Sequence, residues 1–129
     1  TFSNELSMTA EQHAGHSRRE TIADLNDRCR LGLDRTARTV VTRTCLATFG
    51  KGNAATELAA WAAILAAIRA IRFSEDDRTE RDRGEFALEG ETVYFAIDAY
   101  DLDLHYGSED PADPAVTRRV MTIMLREDL

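Results

Sequence analysis

Two hydrophobic periods alternate along the chain. Ser17 with Glu20 three residues later makes a capping-box pattern, and Ile22, Leu25, Cys29 and Leu33 follow at helical spacing. This predicts a first helix over about Arg18 to Leu33. The stretch Arg38 to Phe49 is rich in Thr and Val, residues that suit a pleated, half-buried surface, and reads as a strand. Gly50, Lys51, Gly52 and Asn53 make a turn, with Asn53 as N-cap of an alanine-rich helix over Ala54 to Arg72. Its predicted core stripe is Leu58, Trp61, Leu65, Ile68 and Ile71. After a charged loop over Ser74 to Gly84, Phe86 and Leu88 alternate with polar neighbours, Glu89-Gly90 turns the chain, and Val93, Tyr94, Phe95 and Ile97 form a returning strand. Asp113 and Pro114 then suit a helix start, and Val116, Val120, Ile123 and Met124 recur at helical offsets, predicting a last helix to about Glu127.

The order is therefore α-β-α-β-β-α, an α+β fold with a small, mainly antiparallel sheet and helices packed on one face. Residues 1–16 are polar and without period and read as a mobile lead-in, leaving 17–129 as a single α+β domain. With 43% apolar and 30% charged residues, the 129-residue chain can bury a core and is not of the disordered class. The longest apolar run, near Leu58 to Ile68, is bounded by Glu57 and Arg69 and is too short for a membrane span. Cys29 and Cys45 are too few for a disulfide framework and too far apart for a CxxC site, so they read as buried free thiols. The first residues lack the basic start and hydrophobic centre of a secretory signal, and the expected location is the cytoplasm.

Charge divides the chain. Ten basic and seven acidic residues lie before Ser74, whereas six basic and sixteen acidic residues lie from Ser74 onward, so the halves carry +3 and −10. The acidic half repels nucleic acid and is drawn to basic protein surfaces. Its densest part supplies the candidate partner-binding residues Asp98, Asp101, Asp103, Glu109 and Asp110. If Asp101 to His105 is extended, Asp101, Asp103 and His105 share one side and form a candidate divalent-cation site, although the twelve-residue calcium-loop pattern is absent. The plainer alternative is a solvated loop followed by an N-cap. His13 and His16 lie in the lead-in, so His105 is the histidine available within the fold. No nucleophile elbow, phosphate loop or HExxH pair occurs, and Gly50 to Asn53 is a weak imitation of an anion-binding turn. Of Tyr94 and Phe95, alternation sends one ring to the core and the other outward, while Arg118 and Arg119 are expected to meet Asp110, Asp113 or solvent.

The stretch Ile97-Asp98-Ala99-Tyr100-Asp101-Leu102-Asp103-Leu104, followed by YGSEDPADPAVTRRVMTIML over 106–125, resembles the domain of unknown function 3768 family. The resemblance covers about the last third of the chain, with the hairpin and Leu25-Asn26-Asp27-Arg28 consistent with it. It implies a family widespread in alphaproteobacteria and frequently carried on mobile elements. Members commonly carry a GEHDFG-like motif before the hairpin, where this chain reads Thr79-Glu80-Arg81-Asp82-Arg83-Gly84, with arginine in place of both the histidine and the aromatic. Any chemistry resting on that histidine is thereby in doubt here.

Three functions are compatible with these observations. The first is a non-catalytic acidic binding protein, in concrete form an inhibitor of host defence (CRISPR–Cas or restriction) that docks on a basic, nucleic-acid-binding surface of a protein partner without touching nucleic acid or membrane itself. The second is a metal-dependent hydrolase or nuclease using Asp98, Asp101, Asp103 and His105, the divalent cation being its cofactor. The third is a housekeeping protein whose acidity serves solubility. The first reading needs no cofactor, and none of the three fixes an oligomeric state.

Overall fold

The computed structural model describes residues 17–129, so the predicted lead-in lies outside the described residues. Helix α1 spans Arg18–Arg30, and its N-cap is the expected one, with Ser17 Oγ accepting from the Glu20 N–H at 3.0 Å. It ends three residues earlier than predicted, where Gly32 takes a positive φ of 77°. Strand β1 covers only Arg38–Val41, and helix α2 follows over Arg43–Gly50. The predicted strand over Arg38 to Phe49 is corrected accordingly. Thr42 caps α2, its Oγ1 accepting from the Cys45 N–H at 3.2 Å, and Cys45 and Phe49, one turn apart, enter the core. The threonines that suggested a strand include the residue that starts a helix.

Helix α3, Ala54–Ala70, begins where predicted, with Asn53 Oδ1 accepting from the Ala55 N–H at 2.8 Å. Its buried line is Ala60, Ile64 and Ile68, rotated from the predicted stripe. Leu65 and Ile71 pack at the edge of the core, whereas Leu58 is 72% exposed. In an alanine-rich helix several faces are apolar enough to bury, and the neighbouring elements choose among them.

Strands β2 (Arg83–Leu88) and β3 (Glu91–Tyr100) form the predicted hairpin, with positive φ at both Glu89 and Gly90, as a tight two-residue turn requires. The predicted last helix is a strand. β4 spans Arg118–Leu125 and is followed by a single 3-10 turn, Arg126–Asp128. Arg119, Met121, Ile123 and Leu125 are buried, and their neighbours are half-buried, an alternation of period two. An arginine at the first inward position hides that alternation from a reading by hydrophobicity.

The sheet order is β1-β4-β3-β2, with β1 parallel to β4 and the other pairs antiparallel. The class is α+β with a mainly antiparallel sheet, as expected. Val93, Phe95 and Ile97 stand beside Leu125, Ile123 and Met121 across β3 and β4, and with Cys29, Cys45, Phe49, Ala60, Ile64 and Ile68 from the helices they build one core. All three helices thus contribute to the same side of the sheet. No described helix is long and apolar enough to cross a membrane.

Cys29 and Cys45 are free and buried, and burial pushes both thiols up to about 11. The neutral thiol is therefore the form that the fold prefers. Its contribution is complete below the ordinary thiol range near 9 and is lost as pH rises through 11, so stability should fall between those values. Pulsed alkylation at pH 8 should leave both cysteines unmodified in the native protein and label both in denaturant. Rapid native labelling at rates near those of the unfolded chain would contradict this burial.

Candidate partner-binding loop and the arginine centres

The loop joining β3 to β4 carries most of the predicted site residues, and it is held by its own hydrogen bonds. Asp101 N–H donates to Tyr106 O at 2.8 Å, and Ser108 N–H donates to Ala99 O at 2.9 Å, so the chain doubles back with Tyr100 opposite Gly107. Asp101 Oδ1 accepts from the His105 N–H at 2.9 Å, and Leu104 sits at a φ of 63°. Further on, buried Thr117 donates Oγ1–H to Asp110 O at 2.8 Å and meets Ser108 Oγ at 2.6 Å. Asp113 caps a turn by accepting from the Ala115 N–H at 2.9 Å, in place of the predicted helix start.

This geometry separates the sequence-predicted residues by role. Asp101 and Asp110 are structural: the first closes the turn, and the second accepts from the Ala112 N–H at 3.2 Å and pairs with Arg18 at 3.0 Å. Asp98, Asp103 and Glu109 are exposed. The proposed extended run Asp101 to His105 is a turn, so the alternation that would have aligned Asp101, Asp103 and His105 does not exist. Among the described residues no three His, Cys, Asp or Glu side chains are grouped to hold a metal ion. The extended run from which Asp101, Asp103 and His105 were read as a cation site is thus not formed.

The loop also presents rings and aliphatic groups that the core does not use. Tyr106 is 77% and Leu102 56% exposed, and the His105 and Tyr106 rings meet edge to face with centroids 6.4 Å apart. Of the hairpin pair, Phe95 is buried and Tyr94 is half-buried on the opposite side, as alternation requires.

Two arginine centres were not legible in the sequence. Arg30, buried against Phe73 with its guanidinium carbon 5.3 Å from the ring centroid, donates Nη1–H to Ile68 O and Ile71 O at 3.0 and 3.2 Å. It thereby adds a donor to the carbonyls at the C-terminal end of α3, where Ile68 O also accepts from the Ile71 N–H at 3.2 Å. Asp27 bridges Arg30 at 3.4 Å and Arg81 at 2.8 Å, and Arg81 also reaches Asp24 at 3.2 Å. The bond to Asp27 raises the Arg81 pKa. Arg81, at a φ of 53°, fastens the 79–84 segment to α1.

Arg119 is the second centre. It is 2% exposed, and burial lowers its pKa, yet a guanidinium keeps its proton in proteins. Nε–H donates to Asn26 Oδ1 at 2.7 Å and Nη2–H to Pro111 O at 2.6 Å. Asn26 in turn donates Nδ2–H to Glu80 O at 3.0 Å, so one buried pair joins α1, β4 and the two long loops. Of the partners expected for Arg118 and Arg119, which were Asp110, Asp113 or solvent, neither carboxylate forms an ion pair with them among the described residues; Arg118 Nε–H donates to Thr36 O at 2.8 Å. The Gly50 to Asn53 turn offers no anion site either, because Asn53 itself occupies the amides that begin α3.

A mainly antiparallel sheet with helices on one face and an acidic loop between its central strands defines an α+β domain. The family described as Protein of unknown function (DUF3768) matches residues 49–128, more than half of the chain, and the chain belongs to it. No curated protein and no solved structure matches the chain.

Proposed function

We propose that this protein is a non-catalytic acidic binding protein of the cytoplasm that docks the 101–110 loop on a basic, nucleic-acid-binding surface of a protein partner. The observation that carries the reading is the exposure of Tyr106 and Leu102 together with Asp103 and Glu109 on a loop already ordered by its own hydrogen bonds, with exposed Asp98 near the end of β3 before it. Exposed tyrosine is the residue type most used as an interface anchor, and a pre-ordered loop loses little entropy on binding. The surrounding carboxylates favour a basic partner and disfavour nucleic acid itself. An inhibitor of CRISPR–Cas or restriction is the concrete form, since the target surface in such systems is an arginine- and lysine-rich groove that otherwise holds a polyanion.

The test is a pull-down of the tagged protein from its own cell lysate at low and moderate salt, with mass spectrometry of what is retained, beside Tyr106→Ala and the double variant Asp103→Asn/Glu109→Gln. These side chains are exposed, so the variants should fold as the parent does. A basic nucleic-acid-binding complex retained by the parent and reduced about tenfold or more by each variant is the expected outcome. Retention that is indifferent to both variants would remove the loop from the mechanism. Full restriction of phage or plasmid in cells expressing the protein beside every candidate defence system would remove the inhibitor form.

A further inference from the structure

Buried charges in proteins are paired, because taking an ion out of water costs several kcal/mol unless a counter-charge is supplied. Arg119 departs from that rule. Its two engaged nitrogens meet neutral acceptors, Asn26 Oδ1 and Pro111 O, and no carboxylate forms an ion pair with it among the described residues. Asp34 and Glu80 lie near enough to be felt, though neither is ion-paired with Arg119, and Asp34 Oδ1 accepts from the N–H and Oγ1–H of Thr36 at 2.9 and 2.7 Å.

Arg119 lines an open cavity of about 500 Å³ between the end of α1, the 33–36 turn and the start of β4. Arg28 and Arg35 line the same cavity, and both are exposed. Of their groups, Arg28 Nη2–H donates to Leu33 O at 3.3 Å. Three arginines against the single carboxylate of Asp34 leave the cavity with an excess of two positive charges. We propose that this cavity is an anion site for a phosphate dianion, free or as the monoester of a small molecule, with Arg119 as its fixed inner contact and Arg28 and Arg35 closing on it from the rim. Guanidinium groups pair strongly with the oxygens of phosphate, and Arg119, held by Asn26 and Pro111 O, keeps a fixed place in the cavity lining. The volume lies within the range of small-ligand sites. The proposal does not depend on the function assigned to the docking loop.

Isothermal titration of the full chain with inorganic phosphate and with glycerol phosphate, against sodium chloride at matched ionic strength, tests the site. Binding of either below about 1 mM is expected, with backbone NMR shifts centred on Thr36 and Thr117. Tighter binding of the ester marks the monoester as the ligand, and equal binding marks the phosphate group alone. Arg35→Gln, an exposed change that should leave the fold intact, should weaken binding about tenfold, and Arg119→Lys by at least as much. No heat and no shift beyond the chloride control would overturn the proposal, as would binding that survives Arg35→Gln unchanged.

Discussion

Asn26→Ala should destabilise the fold by about 3 kcal/mol and lower the melting temperature by roughly 10–20 °C, because the substitution leaves a buried guanidinium N–H without its acceptor. Asn26 is 3% exposed and serves two partners, accepting from Arg119 Nε–H and donating to Glu80 O. Asn26→Asp should cost less, since the carboxylate still accepts from Arg119 and adds a counter-charge while losing only the bond to Glu80. Urea unfolding of the three proteins decides the matter. An alanine variant within about 0.5 kcal/mol of the parent would show that Arg119 finds another acceptor and that the Asn26 bridge is dispensable.

The second large effect is at the centre of the core. Phe95→Ala should cost about 4 kcal/mol, since the ring is 1% exposed and lies between the helices and the sheet. Gly84 lies directly across from it on β2, and a Cβ there would overlap the Phe95 ring edge. Gly84→Ala alone should therefore cost about 2 kcal/mol by overpacking, yet almost nothing in the Phe95→Ala background, where the ring is gone. A double-mutant cycle in urea should return a coupling of about 2 kcal/mol. Simple additivity would mean that the glycine is required for its backbone conformation and not for the space it leaves to the ring.

Gly84 also changes the meaning of the 79–84 segment. Its glycine is the place where a ring must fit, and its arginines do what the sequence could not announce. Arg81 is an ordinary exposed-looking residue in a charged run, and only the fold brings it to Asp24 and Asp27, more than fifty residues earlier in the chain.

Local signals were legible wherever the physics is local. Ser17 and Asn53 cap the helices they were expected to cap, the Glu89-Gly90 turn has the two positive φ angles of a tight hairpin, and Phe95 faces in while Tyr94 faces out. Each depends on neighbours within four residues or on the alternation of a single strand. The same local reasoning failed where two periods compete. Residues 116–125 satisfy a helical spacing through Val116, Val120, Ile123 and Met124 and an alternating one through 119, 121, 123 and 125, and the second includes an arginine. Pairing with β1 and β3 on both sides satisfies the β4 backbone, while Asn26 and Pro111 O satisfy the Arg119 side chain. These partners come from distant parts of the chain.

By itself, then, the sequence determined the α+β class, the capped starts of α1 and α3, the hairpin, the burial of both thiols and the acidity of the second half. The tertiary structure decided that the last element is a strand, which face of α3 is buried, that the acidic loop is a turn and not an extended row of ligands, and that Arg119 enters the interior. The reason is one of range. Caps, turns and net charge are set by residues adjacent in the chain, whereas burial of a polar side chain is tolerable only where remote groups supply its hydrogen bonds.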